Sequence, residues 1–290
     1  MINFYVESKT CSQCGVCVEI CPAFVLDKNK EGIVSFKPEY IHLCLGCGQC
    51  MAVCKTKSVH ANSLKYEKDF FEFSGENNFL SILENRRSVR RFKPKPIAND
   101  EIEKILYAVS LAPHGDSHHH VEVTVVNSRE KIIEALPLMS KFYDKLQGWL
   151  HNPIMRKIIQ LKKGKHTLNT LINHLLPRIE KGIYRNLSFD YDGITRGAHT
   201  LLIFHAHKDA EEHNEDSFIF VTYANLAAQA LGLGASIIGL VPAALNKSPE
   251  LKKIFNIPID HDCVISLIVG YPKYVYRRGI KRELKKINWV

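Results

Sequence analysis

Two cysteine runs constrain this chain more than any other feature of its sequence. The runs are "CSQCGVCVEIC" and "CLGCGQCMAVC", and they share one spacing, in which two, two and three residues separate successive cysteines. Together they use eight of the nine cysteines, which are Cys11, Cys14, Cys17, Cys21, Cys44, Cys47, Cys50 and Cys54. Disulfide pairing requires no such regularity, so the pattern indicates metal ligation.

The repeated spacing favours two [4Fe–4S] clusters. A zinc site normally takes four ligands as two separated pairs or includes histidine, so a zinc module is the weaker alternative. Closely spaced thiolates on a tight turn reach three irons of one cube, while the fourth cysteine of each run reaches the other cube. We therefore predict two crossed ligand sets, which are Cys11, Cys14, Cys17 and Cys54, and Cys44, Cys47, Cys50 and Cys21. The ninth cysteine, Cys263, lies in the apolar run "CVISLIVG" and is predicted to be a small buried side chain.

Residues 1–68 resemble the bacterial two-cluster ferredoxin through these runs and the proline at position 22. One departure is Lys55, which stands where the second run of that family usually has proline. We expect a first domain over residues 1–70. With 290 residues at 46% hydrophobic composition, the chain is long enough for a second domain, which we expect over residues 76–290.

A run of arginines, "RRSVRRF", opens the second domain. Taken alone, such a run is typical of a solvated basic face. In an extended segment, however, alternate residues lie on one side, so a phosphate could be bound jointly by Arg86, Ser88 and Arg90. A second basic cluster, formed by Lys273, Arg277 and Arg278, directly follows the predicted buried strand "DCVISLIVG" and could converge on the same phosphate.

Two helices are predicted in the second domain. The first runs through "DEIEKILYAVS", capped by Asp100 with Glu103 reaching back, and ends at Pro113 and Gly115. The second, Phe218–Leu231, is apolar on all sides and is closed by Gly232, and a strand over 235–241 follows it. Because its glycines end a helix instead of opening one, they do not form a dinucleotide-binding fingerprint. A helix that is apolar all round must be buried, and we expect it in a dimer core.

Residues 79–290 resemble the nitroreductase superfamily of FMN enzymes. The resemblance rests on "RRSVRRF", "SLAPHGDSHHHVEVTVV", "AAQALGLGASIIG" and "VGYP" with its trailing arginines, in that order. It implies an α+β fold in which helices flank a central mixed sheet, and a homodimer with FMN at its interface. Joined to the N-terminal module, it resembles the ferredoxin-nitroreductase subgroup.

The resemblance also implies a set of FMN contacts. The phosphate and ribityl chain would be bound by Arg86, Arg87, Ser88 and Arg90, helped by Arg277 and Arg278. From the partner subunit, the flavin would be approached by Ala112, Pro113, His114, Gly115 and Ser117. Beside the reactive edge of the ring would lie Ile238 and Gly239. The superfamily's chemistry is carried by the flavin, and the sequence shows no acid–base or nucleophilic dyad.

The remaining histidines are interpreted as ordinary residues. The chain has Ser117 and His119 where many relatives have asparagine and glutamine. Adjacent residues of an extended segment point to opposite faces, so His118–His120 are not expected to share a metal. His205 and His207 do share a strand face, but no third ligand is evident from the sequence. Residues 137–196 are predicted to form a basic helical insertion that either covers the flavin or packs around the partner subunit.

These features predict an FMN-dependent oxidoreductase that takes electrons through two [4Fe–4S] clusters. The acceptor would be a nitroaromatic, a quinone or a similar small molecule, and the donor a one-electron protein or NAD(P)H. Other reactions of the superfamily, such as dehalogenation, flavin degradation or dehydrogenation, and NAD(P)H-driven flavin chemistry are alternatives.

A redox-sensing nucleic-acid binder is a further alternative. Two clusters and a flavin phosphate reduce the formal charge of +9 to roughly +3, so nucleic acid is not expected as a partner. No leader and no apolar stretch of membrane-spanning length are evident, which predicts a cytoplasmic protein without a membrane partner.

Overall fold

The computed structural model describes residues 4–72, 79–115 and 120–290. The chain forms two compact units, which are Met1–Arg87 together with Lys273–Val290, and Ser88–Pro272. The strands are β1 Tyr5–Val6, β2 Leu26–Lys28, β3 Val34–Phe36, β4 Val59–His60, β5 Phe70–Glu72, β6 Glu122–Val126, β7 Thr200–His207, β8 Gly234–Ile238, β9 His261–Gly270 and β10 Arg278–Ile280. The helices are α1 Val16–Ile20, α2 Gln49–Val53, α3 Tyr66–Asp69, α4 Phe79–Asn85, α5 Asn99–Ser110, α6 Arg129–His151, α7 Pro153–Lys163, α8 Lys165–Thr170, α9 Leu176–Glu180, α10 His213–Ala230, α11 Leu240–Leu245 and α12 Pro249–Ile254.

The C-terminal segment belongs to the first unit. The sequence prediction placed all residues after 76 in the second domain, whereas Lys273–Val290 lie with the cysteine-rich residues. The reason is strand pairing, because β10 runs antiparallel to β5 with Arg278 opposite Glu72 and Ile280 opposite Phe70. The strand β5 therefore finds its hydrogen-bonding partner more than 200 residues further along the chain.

The first unit is built around its cysteines. Its three sheets have two strands each, and they pair β1 with β4, β2 with β3, and β5 with β10. Its core combines cysteines with aliphatic and aromatic side chains, and it includes Cys17, Cys21, Met51, Tyr66 and Phe70. Such a small unit buries little apolar surface, so we expect ligation by the cysteines to add much of its stability.

The second unit is a four-stranded antiparallel sheet in the order β6–β7–β9–β8, packed against helices. The strand β7 is buried along nearly its whole length, because neighbouring strands pair with both of its edges. One face of the sheet packs against α5 and α10 through a core that includes Ile105, Phe204, Phe220 and Leu267. This unit has the α+β architecture that the sequence predicted, but its four strands pair antiparallel, whereas a mixed sheet was implied; the parallel pairing described is the single bridge between Ser88 and Ala235.

The predicted helix near residue 100 is present, but its cap differs. The helix α5 begins at Asn99, and the backbone N–H of Ala98 donates to the carboxylate of Glu101 at 3.0 Å. Asp100 instead pairs with Lys104 at 3.0 Å, so the predicted cap by Asp100 and Glu103 is wrong. A glutamate three residues after the cap position fits the backbone donor at Ala98 better than Glu103 does.

The predicted apolar helix is α10, which begins at His213, before the predicted start at Phe218. It ends as predicted at Gly232, whose φ of 75° is the left-handed conformation that glycine adopts readily. One face is buried through residues such as Phe220 and Ala224, whereas Phe218 is 52% exposed in the single chain. The strand that follows, β8, is shorter than predicted.

The segment predicted as a helical insertion contains the helices α7 to α9 and most of α6. A buried ion pair fixes the loop that follows these helices. The Arg129 guanidinium lies 3.1 Å from the Asp192 carboxylate and also donates to the carbonyls of Ser188 and Phe189. Both side chains are fully buried, and such a pair is tolerable because its donors are satisfied. Over the residues that the structure describes, no helix is long and apolar enough to cross a membrane.

Candidate iron–sulfur and flavin sites

The eight cysteines of the two runs line two separate cavities. The first cavity is lined by Cys11, Cys14, Cys17 and Cys54, and the second by Cys21, Cys44, Cys47 and Cys50. These are the two crossed sets that the spacing predicted. The first cavity measures about 250 Å³ and the second is much smaller.

Two short helices produce the crossing. Each helix follows a glycine in the left-handed conformation, Gly15 with φ of 75° and Gly48 with φ of 69°. These glycines turn the chain sharply between the second and third cysteines of each run. Cys17, within α1, lines the first cavity, while Cys21, at the C-terminal end of α1, lines the second. In α2 the assignment is reversed, because Cys50 lines the second cavity and Cys54, at the C-terminal end, lines the first.

The thiols are costly to ionise without a cation between them. Burial, together with the neighbouring thiols of Cys54, Cys14 and Cys11, raises the pKa of Cys17 to about 12. In the second set, burial raises the pKa of Cys50 well above its ordinary value, and Cys47 adds to the effect. Converging buried thiols are stable as thiolates only when a metal centre compensates their charge, so the donor set fits an iron–sulfur cluster.

The C-terminal segment closes the first cavity, which the sequence did not indicate. Its wall contains Lys273, Tyr274, Val275 and Arg277 in addition to the cysteines. The segment is held in place by specific hydrogen bonds. The backbone N–H of Arg277 donates to the carbonyl of Ala52 at 3.2 Å, and the Tyr276 hydroxyl lies 2.7 Å from Oε1 of Gln49.

Arg278 anchors the same segment. Its Nη1 donates to the carbonyl of Cys54 at 2.7 Å, and its Nε donates to the Glu72 carboxylate at 3.1 Å. The guanidinium also lies 5.5 Å from the ring centroid of Tyr66. The side chain is only 7% exposed. In this structure the donors of Arg278 are directed to a cysteine ligand loop, although the sequence resemblance implied a flavin phosphate contact.

The arginines of the "RRSVRRF" motif divide between the two units. Arg86 and Arg87 end the first unit, and both are half-buried. Burial, together with the neighbouring Arg86 and Arg282, lowers the pKa of Arg87 to about 10. Neither Arg86 nor Arg87 forms an ion pair with a carboxylate among the described residues. Crowded guanidinium groups repel one another, so a bound anion would stabilise them.

The rest of the motif is fixed to the sheet of the second unit. Ser88 forms a parallel bridge with Ala235, and the N–H of Val89 donates to the Ala235 carbonyl at 2.9 Å. This close approach requires glycine next to it, because a Cβ on Gly234 would lie 2.7 Å from Val89. Nη1 of Arg90 donates to the Ser88 carbonyl at 3.1 Å. The next side chain, Arg91, stacks instead on the Tyr191 ring at 3.5 Å.

The other residues implied in flavin binding lie at two places in the second unit. Ile238 ends β8, and the exposed Gly239 follows it; a Cβ there would meet nothing within 4 Å, so the backbone is open to a ligand. Ala112, Pro113, His114 and Gly115 follow α5, and the N–H of Gly115 donates to Asp216 at 3.0 Å. Ser117 lies outside the described residues. The ninth cysteine, Cys263, is 2% exposed, as predicted.

Residues 83–271 match the model of the Nitroreductase family, and residues 10–59 match the model of the 4Fe-4S dicluster domain. Among curated proteins, 49 residues are 47% identical to the iron-sulfur cluster-binding subunit of menaquinone reductase from Nitratidesulfovibrio vulgaris. That match spans 16% of this chain and only 18% of the relative.

Solved structures share the fold. A nitroreductase with bound FMN from Bacteroides fragilis superposes with a TM-score of 0.53 at 20% identity, covering 74% of this chain and 100% of that one. A second, from Desulfitobacterium hafniense, also with bound FMN, gives 0.51 at 18% identity, covering 73% and 97%.

Fold and cysteine arrangement together define a nitroreductase-type fold joined to a ferredoxin-type module at the N-terminus. The chain belongs to the nitroreductase family, because the matched region is more than half of its length. Both resemblances drawn from the motifs are thereby confirmed.

Proposed function

We propose that this protein is an FMN-dependent oxidoreductase that receives electrons through two [4Fe–4S] clusters and reduces a nitroaromatic, a quinone or a similar acceptor. The observation that carries the proposal is the sorting of eight cysteines into two crossed sets of four, in a chain of the nitroreductase family. The curated relative matches only in the cysteine-rich segment. This match therefore supports electron transfer through the cysteine-rich segment and does not bear on the acceptor.

When bound, FMN supplies two-electron chemistry, and each cluster carries one electron at a time. The chain's own residues bind and position these groups. The eight thiolates would hold the clusters in two cavities, with α2 contributing to the wall of both. Arg86, Arg87, Ser88 and Arg90 bind the flavin phosphate, and the open backbone at Gly239 lies beside the ring. Arg278 is left out of the phosphate set, because its donors are directed to Cys54 and Glu72.

A second copy of the chain completes the flavin site in this proposal. The helix α10 exposes Phe218 at 52% and Tyr223 at 37%, which is unusual for neighbouring aromatic residues of a helix whose other face is buried. A homodimer would cover them, and would bring residues 112–115 of one subunit to the flavin of the other.

The test compares electron donors in the full-length protein, reconstituted anaerobically. The parent should contain about eight irons and eight acid-labile sulfides per chain. The variants are Cys14→Ser and Cys47→Ser, one from each set, with Cys263→Ala as the control that removes a cysteine outside both sets. Each is assayed for nitroaromatic reduction with a reduced one-electron protein donor, and separately with NADH or NADPH.

We expect Cys14→Ser and Cys47→Ser to lose at least tenfold in the one-electron assay while they retain FMN and any nicotinamide-driven rate. Cys263→Ala should behave as the parent does. If both serine variants keep one-electron-driven rates within twofold of the parent, electron transfer through the clusters to the flavin is contradicted. If the protein binds zinc in place of iron, the assignment of iron–sulfur clusters is contradicted.

A further inference from the structure

Three neighbouring strands of the second unit bring a carboxylate and two imidazoles together at one end of the sheet. Glu122 begins β6, His205 lies near the end of β7, and His261 begins β9. Their ligand atoms all lie within 4.8 Å of one another. The sequence paired His205 only with His207 of its own strand, where no third ligand was evident; the additional groups come from the adjacent strands.

The spacing of the two imidazoles suits a shared cation. Nδ1 of His205 lies 3.0 Å from Nδ1 of His261. Two nitrogen ligands of a tetrahedral zinc ion, each about 2.0–2.1 Å from the metal, lie about 3.3 Å apart, so a movement of a few tenths of an ångström converts one arrangement into the other. The register between β7 and β9 shifts by one residue between Phe204 and His205, so His261 pairs with His207 and lies on the same face of the sheet as His205.

A second hydrogen bond orients His205 for ligation. Its Nε2 lies 2.9 Å from the hydroxyl of Thr124, which is on β6. With the Nε2 proton donated to that hydroxyl, Nδ1 presents its lone pair toward His261. Metal-binding histidines are commonly held in this way, with the outer ring nitrogen bonded to a neighbour.

The charge of the surroundings is compatible with a cation. His205 is 2% exposed, so a cation bound to it would be largely shielded from solvent on that side. The Lys252 ammonium group is occupied by the backbone carbonyls of Ile259 and His261. Glu122 is exposed, which supplies a negative charge and a route of entry from solvent.

We propose that Glu122, His205 and His261 bind one divalent cation of the zinc class, with a fourth coordination position left to water. Two histidines and one glutamate are an established zinc ligand set. The site uses none of the residues assigned to the clusters or to FMN, so it stands independently of the proposed function. A metal there would tie β6, β7 and β9 together and stabilise the second unit.

The test uses the full-length protein with its clusters loaded anaerobically, so that the eight cysteines are already occupied. Binding of Zn²⁺ is measured by equilibrium dialysis, and Co²⁺ serves as the spectroscopic probe. We expect one Co²⁺ per chain, with visible bands of a nitrogen and oxygen environment and without the sulfur-to-cobalt absorption that thiolates produce. Melting temperature should rise with Zn²⁺ concentration.

The decisive variants are His261→Gln and Glu122→Gln, both at positions that are not fully buried. Each should weaken Zn²⁺ binding at least tenfold and remove the Co²⁺ bands. His207→Gln is the matched control, because the His207 imidazole lies near the carboxylates of Asp209 and Asp260 and approaches His261 only edge to face, with 6.1 Å between the ring centroids. Binding in His261→Gln within twofold of the parent, an equal loss in His207→Gln, or no binding by the parent at millimolar metal would each overturn the proposal.

Discussion

Replacing Arg278 tests whether the C-terminal segment supports the cysteine-rich unit. The change is Arg278→Ala, with Arg277→Ala as the control. The Arg277→Ala variant removes an equal charge one residue away. The Arg277 side chain is exposed, and the hydrogen bond from its backbone N–H to the carbonyl of Ala52 remains in this variant. Any difference between the two variants therefore reports the buried guanidinium and its partners.

The magnitude follows from three contacts. A charged donor to the Cys54 carbonyl at 2.7 Å contributes about 1.5–3 kcal/mol. The pair with Glu72, whose side chain is 68% exposed, adds about 0.2–1 kcal/mol, and the Tyr66 ring adds about 0.5–1 kcal/mol. Because such terms are not strictly additive, we expect a loss of about 2–4 kcal/mol for Arg278→Ala and under about 0.5 kcal/mol for Arg277→Ala.

The assay is anaerobic denaturant unfolding of the cluster-loaded protein, followed by loss of the visible iron–sulfur absorbance, with flavin fluorescence recorded in parallel. Arg278→Ala should lose its clusters at lower denaturant and more rapidly on standing, while FMN is retained. If Arg278→Ala keeps its clusters as firmly as Arg277→Ala does but releases FMN, then the flavin phosphate contact implied by the sequence is correct and our reasoning from the structure fails.

Two further predictions concern the flavin site. Arg90→Ala should weaken FMN binding more than tenfold in a fluorescence titration, since a charge-assisted phosphate contact contributes about 1.5–3 kcal/mol. Arg91→Ala, which removes an equal charge from a side chain stacked on Tyr191, should change FMN binding less than threefold, and equal losses in both variants would count against the site. The parent should sediment as a dimer of twice 33.0 kDa, and Phe218→Glu should yield a monomer that holds FMN poorly. Tyr107→Glu, at an exposed position on α5, should remain dimeric, and a flavin-loaded monomeric parent at micromolar concentration would refute the dimer.

The sequence determined those features whose physics is local. Cysteine spacing and the glycines at positions 15 and 48 fix the turns of the two runs, so the division of eight cysteines into two crossed sets could be predicted without a fold. Gly232 likewise marks the end of α10 through its own backbone conformation. The order of motifs was sufficient to indicate the family.

Tertiary structure alone decided features that depend on pairing between distant segments. The strand β10 could not be assigned to β5 from periodicity, because its register partner lies about 200 residues away and its basic composition equally suits a phosphate site. The cluster of Glu122, His205 and His261 exists only because β7 lies between β6 and β9, and because a register shift in the β7–β9 pairing puts His261 on the same face as His205. A sequence specifies the preferences of each segment, whereas strand order and register are set by the burial of the whole sheet, and these decide which side chains meet.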